Sequence, residues 1–346
     1  MQKIILAAAP AALALGLPAS AQEEPEGAPS PNQIVDAASD EEWVAIPAED
    51  LLVMTLAPDA DGNKREVVIQ LMPAPFSQGW VENIRTLARA EWYDGISVNR
   101  VQDNYVVQWG DPGYDNPESG ETETKPLPEG LRVMDRAEYS VASMYNRQWR
   151  SLYALVAKGE DLRNQANTDH PTIPANLRTT PDDYGQEPGY SGGFPVTREG
   201  RRGGYSPVHC YGMVGVGRNY SPDTGSGAEL YTVIGHAPRH LDRNIALVGR
   251  IIAGMEHLSS LPRGSGTLGF YTEEEVEKRT PILSVRVASD LPSGEQPSYE
   301  YLSTEGETFA KYADARANRR DPFFIVPAGG ADICNIPVPI RAIGTE

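Results

Sequence analysis

The feature that most constrains the fold is a series of short apolar runs broken by turn residues. Residues 50–56 and 66–71 are two such runs, rich in Leu, Val and Ile. Between them lies Pro58-Asp59-Ala60-Asp61-Gly62-Asn63, whose Asp-Gly chemistry predicts a β-hairpin. Residues 96–101, the turn Asp103-Asn104 and residues 105–109 predict a second strand–turn–strand unit. Further strands are expected at 208–216, 229–234, 245–249 and 280–287. Helices are few. Residues 78–90 place Trp80, Ile84, Leu87 and Ala88 on one face, with Ser77 as the expected N-cap. Others are expected at 143–164, 250–261 and 308–319, and residues 169–204 read as loop. The chain has 33 Gly and 29 Pro in 346 residues, which favours strands and turns over long helices. The expected class is mostly β, an antiparallel barrel or sandwich.

The termini and the charge narrow the function. Lys3, the apolar run 4–17 and Ala19-Ser20-Ala21 read as a secretory signal peptide, residues 1–21, cleaved before Gln22. Export to the periplasm is the expectation, with no membrane anchor. Residues 22–40 are rich in Glu, Pro, Ala and Ser, and 22–49 read as a flexible linker and lead-in. The formal net charge is −18, which argues against nucleic-acid partners. Two cysteines, Cys210 and Cys334, exclude a disulfide scaffold and a four-cysteine zinc site. In an oxidising compartment they either pair or stay as two buried thiols, and sequence gives no distance to decide. Among the five histidines, His236 and His240 have i, i+4 spacing, but Pro238 between them opposes a helix. Gly189-Tyr190-Ser191-Gly192-Gly193 matches G-x-S-x-G, yet a Pro/Gly loop precedes it and Phe194-Pro195 follows, which is not a strand-to-helix elbow. Gly215-Val216-Gly217 leads to Tyr220 where a dinucleotide loop needs glycine. No cofactor or metal is expected.

Two separated blocks resemble the cyclophilin family of peptidyl-prolyl isomerases. In the first, Glu66-Val67-Val68-Ile69-Gln70-Leu71 is similar to the opening strand, and Trp80-Val81-Glu82-Asn83-Ile84 with Leu87 and Ala88 to the V-x-N-F-x-x-L-A helix. Val98-Asn99-Arg100-Val101 resembles F-H-R-[VI], and Gln108-Trp109-Gly110-Asp111 resembles Q-G-G-D. In the second, Gly227-Ala228-Glu229-Leu230-Tyr231 resembles G-S-Q-F-F, His240-Leu241-Asp242 resembles the H/W-L-D segment, and residues 248–255 resemble F-G-[RK]-V-x-x-G-M. The resemblance implies a closed eight-stranded antiparallel β-barrel capped by helices, covering 50–290. It would be interrupted by a long insertion, 112–206, and followed by a C-terminal extension, 291–346.

It also implies an activity, the acceleration of X-Pro bond rotation in exported proteins. The partners implied are proline-containing unfolded or exported polypeptides. Arg100 matches the catalytic arginine. Tyr105, Val106, Gln108, Met213, Val214, Glu229, Leu230, Tyr231, His240 and Leu241 are implied to bind substrate. The sequence departs from the family pattern in Val98-Asn99 for Phe-His, Val106 for methionine, Glu229 for glutamine and Ile245 for His or Tyr. These departures motivate an alternative, a non-catalytic periplasmic chaperone or scaffold built on a degenerate cyclophilin domain.

Overall fold

The structure, a computed structural model, describes residues 27–111, 123–144, 149–166, 184–185, 187–199 and 203–344. The signal-peptide segment lies outside the described residues. In chain order the strands are β1 (Trp43–Ala45), β2 (Leu51–Leu56), β3 (Arg65–Leu71), β4 (Ser97–Val101), β5 (Val106–Gly110), β6 (Arg150–Ser151), β7 (Glu187–Ser191), β8 (Phe194–Arg198), β9 (Tyr205–Pro207), β10 (Met213–Val216), β11 (Leu230–Val233), β12 (Leu247–Ala253), β13 (Ile282–Val287), β14 (Tyr299–Leu302) and β15 (Ile340–Ala342). The helices are α1 (Pro31–Asp36), α2 (Gln78–Arg89), α3 (Leu152–Ala166), α4 (Glu256–Ser259) and α5 (Glu307–Ala317).

Eight strands form one antiparallel sheet in the order β13-β2-β3-β12-β10-β11-β5-β4. Its two edges meet: Val98 N–H donates to the Thr280 carbonyl (2.9 Å), and Ile282 N–H donates to Ile96 (2.8 Å). The sheet thus closes into a barrel and leaves no open edge. Leu52, Met54, Ile69, Val107, Trp109 and Leu230 fill the interior. Helix α2 buries Trp80, Val81, Ile84 and Leu87 against the barrel. Ser77 does not cap it, because its backbone is left-handed (φ 55°) and its side chain makes no cap bond. The turn is held instead by Gln78, whose amide donates to the Met72 and Phe76 carbonyls (3.0 and 2.7 Å).

The insertion, lead-in and tail fold together on the barrel. The lead-in read as a flexible linker carries α1, with Ser30 and Gln33 forming a capping box, and β1 pairs with β14 of the tail. The segment read as loop contains a hairpin, β7–β8, in a four-stranded sheet with β6 and β9. Its turn is Gly192-Gly193, both at positive φ, which is a two-residue hairpin connection. The expected helix 143–164 begins only at Leu152, and 145–148 lie outside the described residues. Helix α3 crosses α5 at Gly159, where a Cβ would lie 2.1 Å from the Ala310 carbonyl oxygen. Of the helix expected over 250–261, only α4 (Glu256–Ser259) forms; residues 250–253 continue β12, because Ile251 pairs with Ile69 of β3. Arg250 of β12 is buried. It donates to Gln70 Oε1 (2.9 Å) and to the Gly193 carbonyl (2.8 Å), so it fastens the β7–β8 turn to the barrel wall.

Cys210 and Cys334 form a disulfide, which decides between the two states the sequence left open. It spans 124 residues and ties the tail to the loop before β10. A cross-link across a loop of that length restricts the unfolded chain, and removing such a bond typically costs about 2–4 kcal/mol. Reduction, or Cys334→Ser, is expected to lower the unfolding free energy by that amount, read as a fall in the denaturant midpoint. An unchanged midpoint would contradict a structural role for the bond.

Candidate active site

The candidate site lies on the outer face of β4, β5 and β11. Side chains on a strand alternate between the two faces of a sheet. In β5, Val107 and Trp109 point into the core, and Val106 and Gln108 point outward. In β11, Leu230 points inward, and Glu229 just before it and Tyr231 after it point outward. Strand β4 would place Arg100 on the same inner face as Val98. A bulge between these two residues shifts the phase, so Val98 pairs with Trp109 while Arg100 pairs with Gln108. Arg100 therefore faces the outside beside Gln108.

Its guanidinium is held from several directions. Nε donates to the Leu268 carbonyl (2.7 Å), Nη1 to Gln108 Oε1 (3.2 Å) and Nη2 to Gln102 Oε1. The rings of Phe270 and Tyr105 lie 5.1 and 5.7 Å from Cζ. Leu268 adopts a left-handed backbone (φ 56°), which costs a residue with a Cβ about 1–2 kcal/mol. The loop is held in that shape by Gly264 and Tyr271, whose N–H groups donate to the Val101 and Asn99 carbonyls (3.1 and 3.0 Å). Gly269 is needed there: it has φ +81°, and a Cβ would lie 2.7 Å from Gln102 Cα. Strained backbone held in place by its surroundings is characteristic of functional sites.

Gln108 is oriented from the other side. Its Nε2 donates to Glu229 Oε2 (3.1 Å), so its carbonyl oxygen is left to face Arg100. Glu229 is buried, and a Cβ at position 110 would lie 2.1 Å from Glu229 Oε1, so any residue larger than glycine there would displace the carboxylate. Asn99, at the bulge, directs its amide toward the same carboxylate. The Asn99 and Glu229 departures from the family pattern thus meet in one buried network.

Next to this network lies a cavity of about 280 Å³ with an apolar side formed by Val106, Tyr231, Leu241, Ile245 and Phe270. Tyr231 belongs to its own buried relay. Its hydroxyl lies 2.8 Å from Nε2 of the buried His209, whose Nδ1 lies 2.8 Å from Asp242 Oδ1. Arg239 Nε donates to Asp242 Oδ2 (2.6 Å). Asp242 Oδ1 also accepts from the His209 backbone N–H, so the ring donates through Nδ1–H and accepts the tyrosine proton at Nε2. Gly215 leaves room for the tyrosine, since a Cβ there would lie 2.3 Å from its hydroxyl oxygen.

The structure brings together Arg100, Tyr105, Val106, Gln108, Glu229, Tyr231 and Leu241 around one slot. It does not bring Leu230, Met213 or Val214 there, since all three pack in the core. For Leu230 the reason is alternation: 229 and 231 share one face, and 230 takes the other. For β10, the residues that reach the slot lie further along, at Gly217 and Arg218, because Gly217 N–H pairs with the Glu229 carbonyl. His240 stands behind Tyr105, with the ring planes 6° apart and centroids 6.3 Å apart. Leu268 and Phe270 had no sequence signal. His209 is marked in the sequence only by its place beside Cys210. Ser191 lies at the end of β7 opposite Phe194, so no nucleophile elbow is present. Among the described residues no cluster of three His, Cys, Asp or Glu could hold a metal, and no helix is long and apolar enough to cross a membrane.

A closed antiparallel barrel with an apolar slot beside a clamped guanidinium is the build of a prolyl-peptide isomerase. The sequence model described as "Cyclophilin type peptidyl-prolyl cis-trans isomerase/CLD" matches residues 61–287, about two thirds of the chain. The chain belongs to that family, and it is a cyclophilin-type peptidyl-prolyl cis-trans isomerase. The crystal structure of cyclophilin AquaCyp293 from Hirschia baltica is similar, with a TM-score of 0.57 and 19% identity over 91% of this chain and 98% of that one. A cyclophilin type isomerase from Cryptosporidium parvum matches with a TM-score of 0.37 and 10% identity, over 68% of this chain and 96% of that one. A comparison with curated proteins gave no match.

Burial holds the His209 pKa below its ordinary value, against the pull of Asp242. Burial pushes Asp242 up, but His209 and Arg239 together outweigh it and hold the carboxyl below its usual range. Both groups bind protons more weakly folded than unfolded, so both contribute stability that is lost as pH falls. The histidine's share starts to go below about pH 6.5 and the aspartate's below about pH 4. The expected result is that His209 stays neutral, in the Nδ1–H tautomer, through about pH 6.5, as ¹⁵N NMR of the imidazole can show. A midpoint at the ordinary histidine value, or the Nε2–H tautomer, would contradict the relay. Tyr231→Phe strands the buried His209 Nε2 without its donor and is expected to cost about 1–3 kcal/mol in denaturant unfolding.

Proposed function

We propose that this isomerase acts on X-Pro bonds of unfolded, exported polypeptides, that it assists their folding in the periplasm, and that Arg100 is its catalytic residue. The C–N bond of an X-Pro amide has partial double-bond character and a rotation barrier of about 18–20 kcal/mol. Uncatalysed exchange takes tens to hundreds of seconds. No bond breaks, so neither a nucleophile nor a metal is needed. The site has only to bind the twisted amide better than the planar one.

The proline ring would occupy the apolar side of the slot, against Val106, Tyr231 and Leu241. As the amide twists, the prolyl nitrogen becomes pyramidal and regains its lone pair. A guanidinium donating to that lone pair stabilises the twisted state far more than the planar state, where the pair is delocalised. Arginine suits this role because it stays charged and presents several donors in a fixed plane. Gln108 would bind the substrate backbone beside it. The observation that carries this reading is the set of contacts fixing the Arg100 guanidinium at the slot, from Leu268, Gln102, Gln108 and the two flanking rings. Such preorganisation leaves little to rearrange at the moment of rotation.

The exported location is supported by the apolar leader with its Ala-Ser-Ala site, and by the Cys210–Cys334 disulfide, a bond that persists in oxidising compartments.

The test is a prolyl exchange assay on an X-Pro peptide with wild type and Arg100→Ala. Wild type is expected to accelerate exchange, and Arg100→Ala to lower kcat/KM by about 10²–10³-fold with an unchanged circular dichroism spectrum. Wild-type exchange at the spontaneous rate would defeat the reading and favour a non-catalytic chaperone.

A further inference from the structure

A second cleft adjoins the slot and is larger, about 580 Å³ against about 280 Å³. That volume falls in the range of about 300–1,000 Å³ usual for binding pockets. The two share one wall, the ring of Tyr105, which lines both. His240, the stacking partner of Tyr105, faces the second cleft.

The rest of the cleft is assembled from three parts of the chain. Tyr211 and His236 come from loops of the barrel, Tyr184 from the insertion, and Asp332 and Asn335 from the tail. Cys334 also lines it, so its disulfide to Cys210 fixes the tail wall against the barrel wall. The charges of the cleft are answered within it. Arg239 bonds Asp242 and lies 3.5 Å from Asp332 Oδ2, while Asp332 Oδ1 accepts from the Cys334 backbone N–H (2.8 Å). The Asn104 side-chain oxygen accepts from the His236 N–H (3.0 Å). The large apolar surface left exposed in the cleft is ring surface, beside the exposed polar side chains of His236, His240 and Asn335. Tyr211 is 54% exposed and Tyr184 49%, two large rings kept at the edge of a concave site rather than folded into the core. Arg239 lies under the Tyr184 ring at 5.4 Å and supports it.

We infer that this cleft is a second peptide subsite, which takes an aromatic side chain of the substrate polypeptide close to the isomerised proline. The inference rests on the reading of the first slot as the prolyl site. The aromatic preference follows from the walls. Tyrosine faces and edges pair with another ring by offset or edge-to-face stacking, while the internally paired charges offer little to a charged side chain. The distance follows from the shared wall. An extended peptide advances about 3.3–3.6 Å per residue, so a side chain within about two residues of the proline reaches past one ring. Because the outer walls come from the insertion and the tail, the subsite depends on segments outside the barrel.

The test uses a set of Ala-Pro peptides with Phe placed in turn at each of the two positions on either side of the proline. With wild type, at least one Phe peptide is expected to exceed the all-Ala peptide in kcat/KM by about fivefold, the size of one stacking contact. Tyr211→Ala is expected to bring that ratio below about twofold, and Tyr211→Phe to retain it. Tyr211 is half in water, so its truncation leaves the core intact. Equal values for all peptides with wild type, or a ratio that survives in Tyr211→Ala, would overturn the proposal. If wild type accelerates none of the peptides, the prolyl reading fails separately, and the subsite is judged by Kd from fluorescence anisotropy of the same labelled peptides. A Kd about fivefold lower for a Phe peptide then supports it, and equal Kd values overturn it.

Discussion

Strands in a closed antiparallel barrel send alternate side chains into the core and out of it, and β4 breaks that alternation between Val98 and Arg100. Without the bulge, Val98 and Arg100 would share the inner face. A guanidinium in that core would lose its hydration with no partner in reach, at a cost of several kcal/mol. With it, Val98 stays buried and Arg100 emerges opposite Gln108, on the wall that also carries Val106 and Tyr231. The extra residue, Asn99, is itself buried and directs its amide at Glu229. One irregularity in one strand therefore sets both the position of the cation and one partner of the carboxylate behind it.

Two polar networks then fix the two sides of the slot. Arg100, Gln108 and Glu229 form a line in which each partner's donors and acceptors orient the next. Arg239, Asp242, His209 and Tyr231 form a second line that holds an aromatic ring at the apolar side of the slot. Buried polar groups are costly unless satisfied, and within low-dielectric surroundings a satisfied chain is rigid. Rigidity is what a site needs when its task is to favour one twisted geometry over a planar one. The glycines serve the same end: Gly110 and Gly215 are small because Glu229 and the Tyr231 hydroxyl occupy the space where a Cβ would be.

Much of this was legible in the sequence, and the losses have physical causes. The two hairpin-like units, α2 and α5 follow from turn chemistry and periodicity, which are local. The matches to F-H-R-[VI], Q-G-G-D and G-S-Q-F-F located Arg100, Gln108, Glu229 and Tyr231 on one face. Leu230 was included with them because a motif lists consecutive residues, while a strand gives one face only every second one. Met213 and Val214 were placed too early in β10, since the register that brings Gly217 to Glu229 is a long-range pairing. The β7–β8 hairpin was missed because its Pro and Gly content outweighed the Gly192-Gly193 turn signal. The clamp from Leu268 and Phe270 depends on a loop far along the chain closing over β4, and no local pattern announces it.

The central claim is that Arg100 acts on the twisted amide through a fixed planar fork and not merely as a positive charge. Exchange spectroscopy by NMR on an Ala-Pro peptide, with wild type and Arg100→Lys, tests this directly because it reads binding and cis–trans exchange in one sample. The account predicts exchange cross-peaks with wild type. With Arg100→Lys it predicts peptide binding within a few-fold of wild type and no exchange above the spontaneous rate. Exchange by the lysine variant at the wild-type rate would contradict it.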